Sequence, residues 1–97
     1  MEIIHLDNEK SFHELIKGTI LVDFFATWCG PCKMLANVLE NVKSDIKVLK
    51  VDTDEFENIA REYKIMSIPT LILFKDGKEI KKNIGFIDEE RLEEFLK

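Results

Sequence analysis

Apolar positions along this chain alternate between two periodicities. Ile3-Ile4-His5-Leu6 is short and β-prone. Ile20-Leu21-Val22-Asp23-Phe24-Phe25-Ala26 is apolar on both faces apart from one acid, the pattern of a central strand covered by helices above and below. Ile46 to Asp52 and Thr70-Leu71-Ile72-Leu73-Phe74 read as two further strands. A fifth, around Glu79 to Ile84, alternates and carries Lys81 and Lys82, which suit an edge that must not pair with other chains. Asp76-Gly77, between the last two strands, is a short hairpin signal.

The segments between the strands repeat at helical spacing. Ser11 and Glu14 form a capping-box pattern before Phe12, Leu15 and Ile16, and Gly18 stops that helix. Leu35, Val38, Leu39 and Val42 predict a second helix from about Cys32 to Lys43. Asp54 and Glu57 open a third, whose Phe56, Ile59, Ala60 and Tyr63 share a face, and Asp88 caps a fourth with Leu92, Phe95 and Leu96 inward. This order predicts an α/β fold: a central mixed sheet of about five strands flanked by about four helices. The first three strands are expected to be parallel, through right-handed crossovers, and the last two antiparallel. No linker or repeat interrupts the chain, so residues 1–97 are expected to form one domain.

Composition narrows the function classes. A hydrophobic content of 45% with 34% charged residues fits a folded globular protein rather than a disordered one. The net charge of −5 argues against nucleic acid as a partner, because phosphate binding needs a basic face. No apolar segment is long enough to cross a bilayer, so no membrane role is expected. Met1-Glu2-Ile3-Ile4-His5 lacks the basic-then-apolar start of a secretory leader, which makes a cytoplasmic location the expectation. A processed secreted chain would look the same at this end.

The chemistry concentrates in Trp28-Cys29-Gly30-Pro31-Cys32, which holds both cysteines of the chain. A strand delivers the pair to a helix start, where unpaired N–H groups and the helix dipole favour a thiolate. Such a pair can be structural, metal-binding or redox-active. As a structural staple it is weak: closing so short a ring contributes about 2 kcal/mol, against about 4.7 for a loop of roughly 100 residues. A structural zinc site wants four ligands, and only His5 and His13 remain as soft donors. Haem attachment would need a histidine where Lys33 stands. Redox exchange is the reading that survives, with an inert buried pair as the alternative.

Together with Val22-Asp23-Phe24, Lys33-Met34, Lys50 with Asp52, Ile68-Pro69-Thr70, and Asp76-Gly77 with Gly85, the pentapeptide resembles the thioredoxin family over essentially the whole chain. The resemblance implies the thioredoxin fold and a protein disulfide reductase, an electron carrier cycling through a Cys29–Cys32 disulfide with no other cofactor and no metal. It implies disulfide-containing protein substrates, a thioredoxin reductase as electron donor, and a monomer. A thioredoxin-fold binding module and a glutathione-linked oxidoreductase are the alternatives. Three departures stand out: Asn37 where many members have a helix-kinking proline, Phe25 in place of a tryptophan common in bacterial members, and Phe86 after Gly85 where a smaller residue is frequent.

Within that scheme Cys29 is the expected nucleophile, being the more exposed, and Cys32 resolves the mixed disulfide. Gly30 and Pro31 shape the helix entry. Asp23 is expected to be buried, with a raised pKa, and to exchange protons with Cys32; the alternative is an acid at a strand end reaching solvent. Lys50 pairs with it in part or merely packs its stem. The resemblance implies a cis Ile68–Pro69 bond facing the cysteines, with adjoining backbone pairing to an extended substrate. Trp28, Ile68, Gly85 and Phe86 would then surround Cys29 as an apolar docking surface, Trp28 and Phe86 being core residues on the other reading. His5 and His13 are given no role. The chain lacks a Gly-rich nucleotide loop, so no nicotinamide cofactor is expected.

Overall fold

A computed structural model describes all of residues 1–97. Five strands, β1 (Ile3–His5), β2 (Thr19–Phe25), β3 (Lys47–Asp52), β4 (Thr70–Lys75) and β5 (Lys78–Ile84), form one sheet in the order β1-β3-β2-β4-β5. β3 lies parallel to both β1 and β2, while β4 is antiparallel to β2 and to β5. The doubly apolar β2 is therefore the middle strand, as its pattern demands. The connections are a short 3-10 turn (Glu9–Ser11) running into α1 (Phe12–Leu15), then α2 (Gly30–Asn41), α3 (Glu57–Glu62) and, after β5, α4 (Glu89–Phe95).

Strand alternation sends successive side chains to opposite faces. Ile20, Val22 and Phe24 of β2 join Leu49, Val51, Ile72 and Phe74 in a core with Phe12 and Ile59. Edge-on and tilted contacts among Phe12, Tyr63 and Phe74 tighten it, with ring centroids 5.2–6.2 Å apart. On the other face Leu21, Val48, Leu71 and Leu73 meet Leu35 and Leu39 of α2 and Leu92 of α4. Asp76 and Gly77 both have positive φ, the conformation that a two-residue hairpin needs. β5 is an edge strand, and a bulge opposite Leu73 and Phe74 interrupts its pairing.

The helix starts depart from expectation in three places. The Ser11–Glu14 capping box does not form, because Ser11 is already helical and makes no cap. Asn8, extended at φ −151°, caps the preceding 3-10 turn instead, accepting the Ser11 N–H at 3.0 Å. α2 begins at Gly30, two residues before the expected start, and ends at Asn41; it runs through Asn37 unbroken. α3 starts after Phe56 without a side-chain cap, and Asp54 is not part of it. Asp88 does cap α4, accepting the Arg91 N–H at 2.9 Å.

The capping assignment predicts unequal costs. Asn8→Ala should lower stability by about 1 kcal/mol in urea unfolding, and Ser11→Ala by less than half of that. Equal losses would restore the capping box.

Candidate active site

The cysteines lie just beyond the carboxyl end of β2, the usual position of sites in open α/β sheets. They are joined as a disulfide with Cα atoms 5.2 Å apart. Cys29 is the N-cap of α2: its backbone is extended, and its sulfur receives the Cys32 N–H at 3.2 Å. Gly30 and Pro31 occupy the first two helical positions, where a proline leaves no helical N–H unsatisfied. The N–H and helix dipole thus converge on Cys29 Sγ, favouring negative charge there once the disulfide opens. The expected difference in exposure is small. Cys29 is only 5% exposed and Cys32 2%, because the oxidised pair is wedged among Ala26, Phe25 and Ile68.

Asp23 is fully buried, so the alternative of an acid reaching solvent fails. Alternation puts it on the same face of β2 as Leu21, beneath α2, between Lys50 of β3 and Leu71 of β4. Lys50 Nζ stands 3.6 Å from Asp23 Oδ2, an ion pair too long for a hydrogen bond, and neither carboxylate oxygen has a hydrogen-bond partner. Burial raises the Asp23 pKa from 3.8 to about 6, and the Lys50 charge holds it from rising further. The Lys50 ammonium also sits 4.5 Å from the centre of the Phe25 ring. Lys50, Phe25, Ala26, Cys32 and Ala36 line a hollow of about 220 Å³, which puts the half-buried lysine and Cys32 on one cavity wall.

The Ile68–Pro69 bond is cis. Ile68 O lies 4.0 Å from Cys29 Sγ, a packing contact since a disulfide sulfur has no proton to donate. The segment is pinned from both sides: Thr70 Oγ1 donates to Ser67 O at 2.7 Å, and Gly85 N–H donates to Pro69 O at 2.8 Å. Between these anchors the Ile68 N–H has no partner within the fold. Gly85 has φ +95°, a conformation costly for a side-chain-bearing residue.

Trp28 is 70% exposed, and Phe86 is also exposed, so neither is a core residue. The indole is nonetheless fixed, since Trp28 Nε1 donates to Asp54 Oδ2 at 2.9 Å. Asp54 was not among the expected site residues. β2 and β3 run in parallel register with Phe25 opposite Asp52, so the loops that follow them are neighbours, and this register was the signal that could have found it. Thr53 N–H ties those loops together by donating to Phe25 O at 2.9 Å. His5 is exposed on β1 opposite Lys50, and His13 is paired with Glu62 at 3.1 Å. No cluster of three or more His, Cys, Asp or Glu is placed to hold a metal ion.

A disulfide at a helix start, packed against a cis-proline segment, is the site of a thiol–disulfide oxidoreductase. The thioredoxin family model matches residues 3–97. The thioredoxin of Staphylococcus aureus is 46% identical over 100 aligned positions, covering 99% of this chain and 96% of that protein. Among solved structures, a reduced thioredoxin pre-protein of Schistosoma mansoni superposes with a TM-score of 0.90 at 34% identity, covering 99% of this chain and 96% of that one. A point mutant of a thioredoxin from Halobacterium salinarum gives 0.89 at 34% identity, covering 97% of this chain and 87% of that one. The chain belongs to the thioredoxin family. Protein disulfide reduction with electron carriage is its activity, and neither alternative reading gains support.

The Asp23 environment predicts a pH dependence of stability. The folded pKa lies above the unfolded one, so the folded state holds the extra proton between the two values. The stability conferred by the neutral acid is present below about pH 4 and is lost as pH rises through about 6. Asp23→Ala should therefore stabilise the protein at pH 7, by up to about 3 kcal/mol, and flatten the decline between pH 4 and 7. A destabilised variant in urea unfolding at pH 7 refutes the burial penalty.

Proposed function

We propose that the whole chain works as one monomeric domain in the cytoplasm, reducing protein disulfides with Cys29 as nucleophile and Cys32 as resolving thiol. The observation that carries this order is the Cys32 N–H directed at Cys29 Sγ from the first turn of α2. The Cys29 thiolate attacks one sulfur of a partner disulfide. A Cys29–partner bond forms, the partner's S–S bond breaks, and the departing thiolate takes up a proton. Cys32 then loses its proton and attacks Cys29 Sγ, closing the Cys29–Cys32 disulfide and expelling the second partner thiolate. Two electrons pass to the partner, and a thioredoxin reductase returns two to this chain.

Asp23 is the base for Cys32 in this scheme. It lies beneath the helix that carries Cys32, and a pKa of about 6 lets it accept and release a proton near neutrality. Lys50 limits how far that pKa rises, a positioning role exercised through Asp23. The partner's main chain pairs with the unengaged Ile68 N–H beside Pro69, which supports recognition of extended segments with varied side chains. Trp28, Ile68, Gly85 and Phe86 supply the surrounding apolar contact.

Cys32→Ser should trap a covalent adduct between Cys29 and a disulfide-bearing protein such as insulin, visible by mass spectrometry, whereas Cys29→Ser should form none. Asp23→Ala should retain the adduct step but slow steady-state insulin reduction about tenfold near neutral pH. Adduct formation through Cys32 in the Cys29→Ser protein, with none through Cys29 in the reciprocal variant, would reverse the assigned order.

A further inference from the structure

Two hollows share the loop before Pro69. One, of about 220 Å³, is lined by Trp28, Thr53, Ile65, Met66, Ser67 and Ile68, and so adjoins the disulfide. The other, of about 70 Å³, lies across the same Ile65, Met66 and Ser67 and is closed by Lys64, Thr70, Lys82 and Ile84. The loop is thus the wall between them, and the surface is continuous from Trp28 to the edge strand. Met66 is 91% exposed on its crest, and Ile84 is exposed as well.

The outer hollow differs from the inner one in charge. Both ionisable residues that line it are lysines, in a chain whose net charge is −5. Neither lysine belongs to an ion pair. Lys82 Nζ reaches only the Tyr63 carbonyl, at 3.5 Å. Lys64 has φ +55°, the left-handed conformation that favours glycine after a helix, so its charge sits at a position where the backbone would be more stable without a side chain. Register fixes where the hollow stands. Ile84 pairs with Thr70, the residue after Pro69, and Lys82 pairs with Ile72, two residues or about 7 Å further along the edge.

We propose that Lys64 and Lys82 form a specificity subsite for a carboxylate side chain of the protein substrate, borne a few residues from its disulfide, with Met66 and Ile84 contacting the apolar part of the same segment. This rests on the reading that Ile68 and Pro69 carry the substrate backbone past Cys29. The hollow holds a group of carboxylate size, and its two ammonium groups, neither in an ion pair, supply the complementary charge. The partner is an extended acidic segment; a neutral or basic one gains nothing there.

The test uses three disulfide-bridged peptides identical but for Glu, Gln or Lys at one position beside the cystine, scanned over neighbouring offsets. The unaltered protein should reduce the Glu peptide with kcat/KM about fivefold above the Gln peptide at its best offset. The gain should lie in KM, and high salt should erase it. Lys64→Gln with Lys82→Gln should abolish the preference while leaving reduction of the Gln peptide within about twofold. Lys64→Gly should halve the preference yet raise the melting midpoint, which separates lost charge from lost folding. Equal rates for all three peptides, or a preference that survives in the double variant, overturn the subsite and leave the disulfide chemistry intact. Failure of the unaltered protein to reduce any peptide overturns both.

Discussion

Everything at the site depends on β2 being paired on both edges and covered on both faces. A strand in that position has no freedom of register: a one-residue slip would turn Val22 and Phe24 out of one core and drive Asp23 into it. Because β2 cannot move, its carboxyl end is a fixed platform, and the turn through Ala26 to Cys29 starts from a known point and direction. The same pairing holds the loops after β2 and β3 side by side, which is why Asp54 can hold Trp28. On the other side, antiparallel β4 begins at Thr70 opposite Phe24, bringing Pro69 to the cysteines. Three segments distant in sequence meet because one strand has two neighbours.

The one charged side chain inside that platform is a cost accepted by the fold. Asp23 could be replaced by an aliphatic residue with gain to the core, since Leu21 and Leu71 surround it and its oxygens find no hydrogen bond. Lys50 offsets the burial only in part, at a distance that leaves the acid half-neutral near pH 6. A tighter bidentate contact would have pinned the carboxylate in its charged form. The loose one keeps both protonation states accessible near neutrality, as the proposed exchange with the Cys32 thiol requires.

The topology was legible because the patterns were long and unambiguous. β2 and β4 are apolar on both faces, Asp76-Gly77 fits the hairpin turn, and each helix repeats its apolar stripe. What the chain alone did not reveal were choices made by competing polar groups. Ser11 and Glu14 matched a capping box, but Asn8 three residues earlier reached the same N–H first. Asp54 matched a helix start, but its carboxylate accepts from the indole across the loop and not from the backbone of α3. In both cases the local signal was satisfied by a neighbour that only the folded chain identifies. The cysteine pair was legible as chemistry, but its near-equal burial was not, since that follows from packing against Phe25, Ala26 and Ile68.

Sulfur chemistry at a helix start discriminates poorly among disulfides, because the N–H groups and dipole act on Cys29 whichever partner arrives. The main-chain pairing proposed beside Pro69 is equally indifferent to side chains. Selectivity must then come from what lies beyond those two features, and the edge strand is where this chain differs in character. Its bulge opposite Leu73 and Phe74 and its lysines keep β5 from recruiting other strands, a protective function for any exposed edge. The same lysines cannot be neutral toward what docks alongside. A lysine at position 64, in a backbone conformation that glycine would fill at lower cost, has no protective explanation, because α3 has already ended and no strand edge is exposed there. The proposed carboxylate subsite gives charge at that corner a purpose, and on that reading discrimination lies on the rim of the site while reactivity stays at its centre.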